Sequence, residues 1–218
     1  MKIFKSLVTA ILISSFFLSC VPEETKTEFT TISGTFEMEG MKEITLSKVE
    51  HGKDFIVATT KVNDKNQYSL AVTPVKEGFY LLSDNFKANT IPLYIKGNQH
   101  ITLDFNAVDG FKLTKLPDDE NKVLNEWYKS NDTLQYFDFR KGQKTYKDFF
   151  PFFKDFMPKM KEQHNNVTTS NTYFNELMHA YIDLNIEKEA MNFLFTPRSK
   201  HPTTKDLPSY YFDFMKAD

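Results

Sequence analysis

The chain has 218 residues, with 27 basic and 29 acidic side chains, a net charge of −2, and 40% hydrophobic and 26% charged residues. That balance argues against long disordered stretches, and an acidic chain with only two arginines, Arg140 and Arg198, is a poor match for a phosphate-binding surface, so nucleic acid is not an expected partner. The length suffices for one large domain or two small ones, and the residue pattern changes once, near Pro117.

Lys2 and Lys5 open the chain, Leu7 to Leu18 form an apolar run with no full charge, and Phe17-Leu18-Ser19-Cys20 closes it. This is the shape of a secretory signal peptide, and the run falls short of the about 20 apolar residues a spanning helix needs. Leu18-Ser19-Cys20 resembles a lipobox, at which bacterial lipoproteins are cleaved and the cysteine acylated by fatty acids such as palmitate. The resemblance implies a signal peptide over 1–19, lipidation at Cys20 and an anchored tether over 20–28. Val21 at the position after the cysteine implies the outer membrane, and Glu23-Glu24 resembles a signal for display on the cell surface. Cleavage before Cys20 would leave 199 of the 218 residues and, with Lys2 and Lys5 removed, 25 basic against 29 acidic side chains. Cys20 is the only cysteine, so its acylation leaves no thiol for a disulfide or for dithiol chemistry.

From Phe29 to about Leu116 the period is two. Apolar and β-branched runs at Phe29 to Phe36, Ile44 to Leu46, Phe55 to Thr60, Tyr68 to Val72, Phe79 to Leu82, Ile91 to Ile95 and Ile101 to Phe105 read as strands. Turn residues separate them, among them His51-Gly52, Asn63 to Asn66, Gly97-Asn98 and Asp109-Gly110. Many short strands at regular spacing predict an antiparallel β-sandwich or barrel-like domain over 29–116. A three-residue loop, Gly97-Asn98-Gln99, would set Ile95 against Ile101, Leu93 against Leu103 and Ile91 against Phe105 in one hairpin, with Tyr94 and Thr102 on the other face.

Past Pro117 the period becomes helical, and 117–218 reads as a helical region, so the fold class is α+β. The spacing predicts helices over Asp118 to Ser130, over Thr145 to Asn165 and over Asn171 to Phe195, with a further one beginning at Leu207. Asn131 to Lys144 reads as a loop. Pro151 conflicts with a helix interior, and an N-cap at Asp148 would bring it into the first turn, while Pro158 predicts a kink or break.

No two of the seven glycines are fewer than six residues apart, which removes both the dinucleotide fingerprint and the nucleophile elbow. Glu176, His179, Asp183 and Glu187 project from similar faces of one predicted helix. A Glu-x-x-His pair serves di-iron bundles only beside a second such pair, and none is present, so the four residues read as a solvated face and no metal site is assigned. Paired carboxylates for glycoside cleavage leave no local signature. No catalytic, cofactor-binding or metal-binding residue is expected.

The strand region resembles the β-rich N-terminal domain of unknown function of thioredoxin-like thiol-disulfide lipoproteins of the TlpA/ResA type. Carrying the resemblance are the Phe-x-x-Ile-x-Gly opening at Phe29 to Gly34, Ile44-Thr45-Leu46, Val62-Asn63-Asp64 leading into Tyr68-Ser69-Leu70, Gly78-Phe79-Tyr80, and Leu93 to Asn98 followed by Ile101-Thr102-Leu103. Two departures stand out: Asp64-Lys65 replaces the family's Asp-Gly turn, and the Trp-Cys-x-x-Cys of the family's catalytic domain does not occur in these 218 residues. The resemblance implies a non-catalytic, lipid-anchored envelope module, either a stand-alone relic or the front of an interrupted gene. Its expected partners are the membrane, through the anchor, and a thioredoxin-like domain or another envelope protein. The alternative readings are a stand-alone glycan- or peptide-binding outer-membrane lipoprotein and an enzyme with dispersed carboxylates. Asp132-Thr133-Leu134, in the predicted loop, resembles an O-glycosylation site of some Gram-negative lipoproteins, with Thr133 as the acceptor.

Overall fold

The computed structural model describes residues 29–38, 43–73, 75–84, 89–115, 118–135, 145–195 and 200–215; Cys20 and the segments expected to be a signal peptide and a tether lie outside them. Among the described residues the chain forms strands β1 (Thr30–Glu37), β2 (Glu43–Glu50), β3 (Lys53–Lys61), β4 (Gln67–Val72), β5 (Gly78–Asp84), β6 (Thr90–Ile95), β7 (His100–Asn106) and β8 (Gly110–Lys115). Helices α1 (Asp119–Gln135), α2 (Tyr146–Asn165) and α3 (Thr172–Phe195) follow, with 3-10 turns at Thr204–Asp206 and Tyr211–Met215. The architecture is α+β, a mostly antiparallel β-sandwich followed by helices.

The strands make two four-stranded sheets, ordered β4-β1-β7-β8 and β3-β2-β5-β6. Alternation decides their inner faces: in β4, Tyr68, Leu70 and Val72 are buried while Gln67, Ser69 and Ala71 are exposed. Phe36 stacks on Phe105 at 4.3 Å, and Phe111 closes against both rings. The β1–β7 pair is parallel, and a glycine permits its close approach. A Cβ at Gly34 would stand 1.7 Å from the Leu103 carbonyl oxygen. Tyr68, directly across the ladder from Gly34, donates its hydroxyl to that same oxygen at 2.8 Å.

The expected hairpin between β6 and β7 does not form. β6 pairs with β5 and β7 with β1 and β8, so Ile95 sits beside Gly78 and Ile101 beside Ile32. Ile91, Leu93, Ile95, Ile101, Leu103 and Phe105 are all buried in one core, but they meet between sheets rather than along one ladder. Alternation specifies a face and leaves the hydrogen-bonded partner open. The Gly97-Asn98 segment crosses between sheets, with both residues at positive φ and the Lys96 N–H held by the Gln99 side chain at 2.9 Å. β8 is an eighth strand that no apolar run announced.

The helical half has its own core, built on the outer face of β5 and β6. Tyr94, fully buried, meets Phe174 at 4.8 Å and Phe79 at 5.7 Å between ring centroids. Phe149 stacks on Phe193 at 3.8 Å, joining α2 to α3. α1 runs on to Gln135, one turn past its expected end, so Thr133 lies in a helix and not in a loop. α2 begins one turn before the expected cap: Thr145 is the N-cap, its side chain accepting the Lys147 N–H, and Asp148 accepts the Thr145 N–H at 2.9 Å. That start places Pro151 and Pro158 inside a helix that is assigned continuously to Asn165; burial of Tyr146, Phe149, Phe150 and Phe153 favours it. The expected helix from Leu207 is replaced by the 3-10 turn at Tyr211–Met215, where Tyr211 is buried and donates its hydroxyl to the Ala190 carbonyl.

Leu103→Ala should cost about 2–5 kcal/mol, whereas Thr102→Ala on the outer face should stay within about 0.5 kcal/mol. Gly34→Ala should destabilise at least as much as Leu103→Ala, since its methyl collides with backbone. Urea unfolding of the three variants checks the order, and equal midpoints for the two leucine and threonine variants would reject the assignment of faces.

Candidate functional site

The segment joining β4 to β5 stands between the two halves of the molecule. On one side it meets Lys48, which shares the inward face of β2 with Ile44 and Leu46 and is buried. The Lys48 ammonium donates to the Lys76 carbonyl at 2.8 Å and to the Glu77 carbonyl at 3.1 Å, and lies 4.7 Å above the Tyr80 ring. Tyr80 donates its hydroxyl to the same Lys76 carbonyl at 2.7 Å. Burial lowers the Lys48 pKa, against the pull of Glu50, and burial raises that of Tyr80. Lys76 reaches Glu50 at 2.6 Å on the exposed rim. An open groove of about 350 Å³ lies here, lined by Lys48, Val57, Ala71, Val72, Thr73, Lys76 and Tyr80. It offers a cation and an aromatic face beside methyl groups.

On its other side the segment anchors the helices. The Glu77 carboxylate accepts the Tyr94 hydroxyl and the Asn171 amide, each at 2.7 Å. β6 is a sheet edge, and Asn121 satisfies it: the Tyr94 N–H donates to Asn121 Oδ1 at 2.9 Å and the Tyr94 carbonyl accepts from Nδ2 at 2.7 Å. Asp118 caps α1 by accepting the Asn121 N–H at 3.0 Å. Lys96 meets Glu120 at 2.7 Å, and that partner helps to hold the Lys96 pKa up and the Glu120 pKa down against the opposing effect of burial.

Of the residues singled out in the sequence, Cys20 lies outside the described residues. Thr133 lies in the last turns of α1. His179 and Asp183 do come together, with a third residue: the His179 ring stacks on His164 of α2 at 4.4 Å, and His164 Nε2 is 3.4 Å from the Asp183 carboxylate. Among the described residues no group of three or more His, Cys, Asp or Glu is arranged to hold a metal ion. Neither is any described helix long and apolar enough to cross a membrane. The sequence reading missed Lys48 and Tyr80, although a lysine in phase with Ile44 and Leu46 on an apolar face is a visible signal. It also missed the Glu77–Asn171 bond, which joins positions 94 residues apart. No family model matches the chain, and no curated protein matches it.

Burial, together with the hydrogen bond to Glu77, raises the Tyr94 pKa, and burial raises those of Tyr68 and Tyr211. Below about pH 10 these tyrosines are neutral in both folded and unfolded chains; above it the unfolded chain ionises first, so stability falls as pH rises. Tyr94→Phe should lose about 1 kcal/mol near neutrality and show a shallower alkaline loss than the wild type. Urea midpoints across the alkaline range measure both effects.

Proposed function

We propose that this chain is a lipid-anchored, non-catalytic module of the cell envelope, fixed to the outer membrane through Cys20. One observation carries the reading: the only cysteine closes a charged-then-apolar leader, and after nine intervening residues, Val21 to Phe29, the first strand of a folded body begins at Thr30. A leader, an acylated cysteine, a short tether and a folded body are the parts such a module needs.

The wiring of the two halves supports a presenting role. Tyr94 bonds to Asn121 and to Glu77, and Lys96 bonds to Glu120, across the junction. These contacts join the helices to the sandwich. The helices then serve as a platform for a thioredoxin-like domain or another envelope protein, in keeping with the family the strand region resembles. The groove beside Lys48 and Tyr80 favours a second reading, a stand-alone binder of glycans or peptides, because an aromatic face and a cation suit either ligand. Binding on a glycan and peptide array that is lost in Lys48→Met and Tyr80→Ala would select that reading.

Cys20→Ala should move the protein from the detergent-rich to the aqueous phase of a detergent split; identical partitioning of variant and wild type would end the lipoprotein reading. The purified mature chain with Cys20→Ser should not accelerate insulin reduction by dithiothreitol, because disulfide exchange needs a thiolate and this variant has none. Turnover above the dithiothreitol background would overturn the non-catalytic reading.

A further inference from the structure

We infer that the rim of the sandwich at which the chain enters β1 is a membrane-facing surface whose partner is the lipid head-group layer, and that the helical half points away from the bilayer. The inference rests on the proposed acylation of Cys20 and adds to it an orientation and a contact surface.

Strand pairing defines this rim. Thr30, at the start of β1, pairs with Val72 at the end of β4, and Thr31 pairs with His100 at the start of β7. Thr102 pairs with Lys115, which brings the end of β8 to the same place. In the other sheet Glu50 pairs with Lys53, Lys48 with Tyr80 and Gly78 with Ile95, so β2 and β6 end there while β3 and β5 begin. The groove ties the two sets together, since Lys48 and Tyr80 share it with Val72 and Thr73. Nine peptide steps separate Cys20 from Phe29, a reach of roughly 30 Å when fully extended. This rim is therefore the part of the body held nearest the anchor.

The helices extend in the opposite sense. Asn121 binds Tyr94 near the entry rim, and Tyr128, two turns further along α1, donates to the Thr90 carbonyl at the start of β6, on the far rim. α3 starts at the entry rim, where Asn171 binds Glu77, and is level with the end of α1 where Asn131 meets Asn185. Its remaining turns continue past the far rim to Phe195, which is 75% exposed.

Among the described residues the two rims differ in their exposed aromatic rings. Phe29 and Phe55 are exposed by 54% and 52% at the entry rim, where Lys53, Lys76, Lys96 and Lys115 stand with Glu50, Asp54 and Glu77. Glu50 is taken up by Lys76; Asp118 and Glu120 at the foot of α1 face Lys96, and Asp119 is exposed beside them. Among the described residues the far rim holds Glu37, Glu43, Asp64 and Asp109 with Lys61 and Lys65, and its exposed apolar side chains are Met38 and Val108. Aromatic rings and lysine stems suit the head-group layer; net charge does not separate the rims, since the groups named are four lysines against six carboxylates at the entry rim and two lysines against four carboxylates at the far rim.

The test uses single thiols in the acylated protein, where the Cys20 sulfur is already a thioether. Lys53→Cys, Val108→Cys and Phe195→Cys are each labelled with a donor dye, and the proteins are reconstituted into vesicles carrying a head-group acceptor. Energy transfer should be several-fold stronger at position 53 than at 108 or 195. Equal transfer at the three positions, or the strongest at 108 or 195, would overturn the orientation. A parallel set beginning at Val21 and held on nickel-chelating vesicles by an N-terminal histidine tag separates the two ideas. If the native protein fails to float with vesicles but the tagged set keeps the order 53 above 108 and 195, acylation at Cys20 is wrong and the orientation stands. If the tagged set shows no order, the orientation falls whatever the state of Cys20.

Discussion

The attachment of the helices to the sandwich turns on one side chain. β6 is an edge strand, and at Tyr94 its outward N–H and C=O would be left without strand partners. Asn121 supplies both, so that a side-chain amide completes the ladder for one residue. Asn121 is itself placed by Asp118 at the start of α1, which means that a helix cap and a sheet edge are joined in one network. Buried amides of this kind cost more to leave half-satisfied than to omit, so the bonds specify a single seating of α1 on β6. With α1 seated, the Tyr94 ring is left facing α3, and the second core forms around it.

A different constraint governs the sandwich. β1 is central in its sheet and pairs in parallel with β7, an arrangement that requires a crossover instead of a tight turn. Gly34 admits the Leu103 carbonyl where any Cβ would collide, and Tyr68 covers the gap while satisfying that oxygen. The glycine of the Phe-x-x-Ile-x-Gly opening thus has a physical reason in this chain, independent of any resemblance.

The strands and their buried faces were legible because a half-buried strand writes its period into the residues. Ile91, Leu93 and Ile95, like Ile101, Leu103 and Phe105, point where alternation put them. Which strand lies beside which was not legible: facing sheets and a hairpin bury the same side chains, and only the chain path tells them apart. β8 has two core-side residues, Phe111 and Leu113, too few to stand out as a run. Pro151 drew the expected helix start to Asp148, whereas the aromatic side chains upstream outweighed the proline. Of the groove, only Lys48 left a trace in the sequence, and the bonds that tie Glu77 to Tyr94 and Asn171 left none.

The pairing of β1 sets an order of events in folding. Thr31 pairs with His100, 69 residues further along, and with Ala71 on its other side, so β1 has no complete set of neighbours until β7 is available. A chain delivered from its N-terminus therefore carries its first strand unpaired while β2 and β3 can already close their local hairpin. Such non-local pairing is slow, since loop closure must precede the contacts that reward it, and the waiting strand is open to other chains. The first of these strands to emerge is among the last to gain its full set of partners.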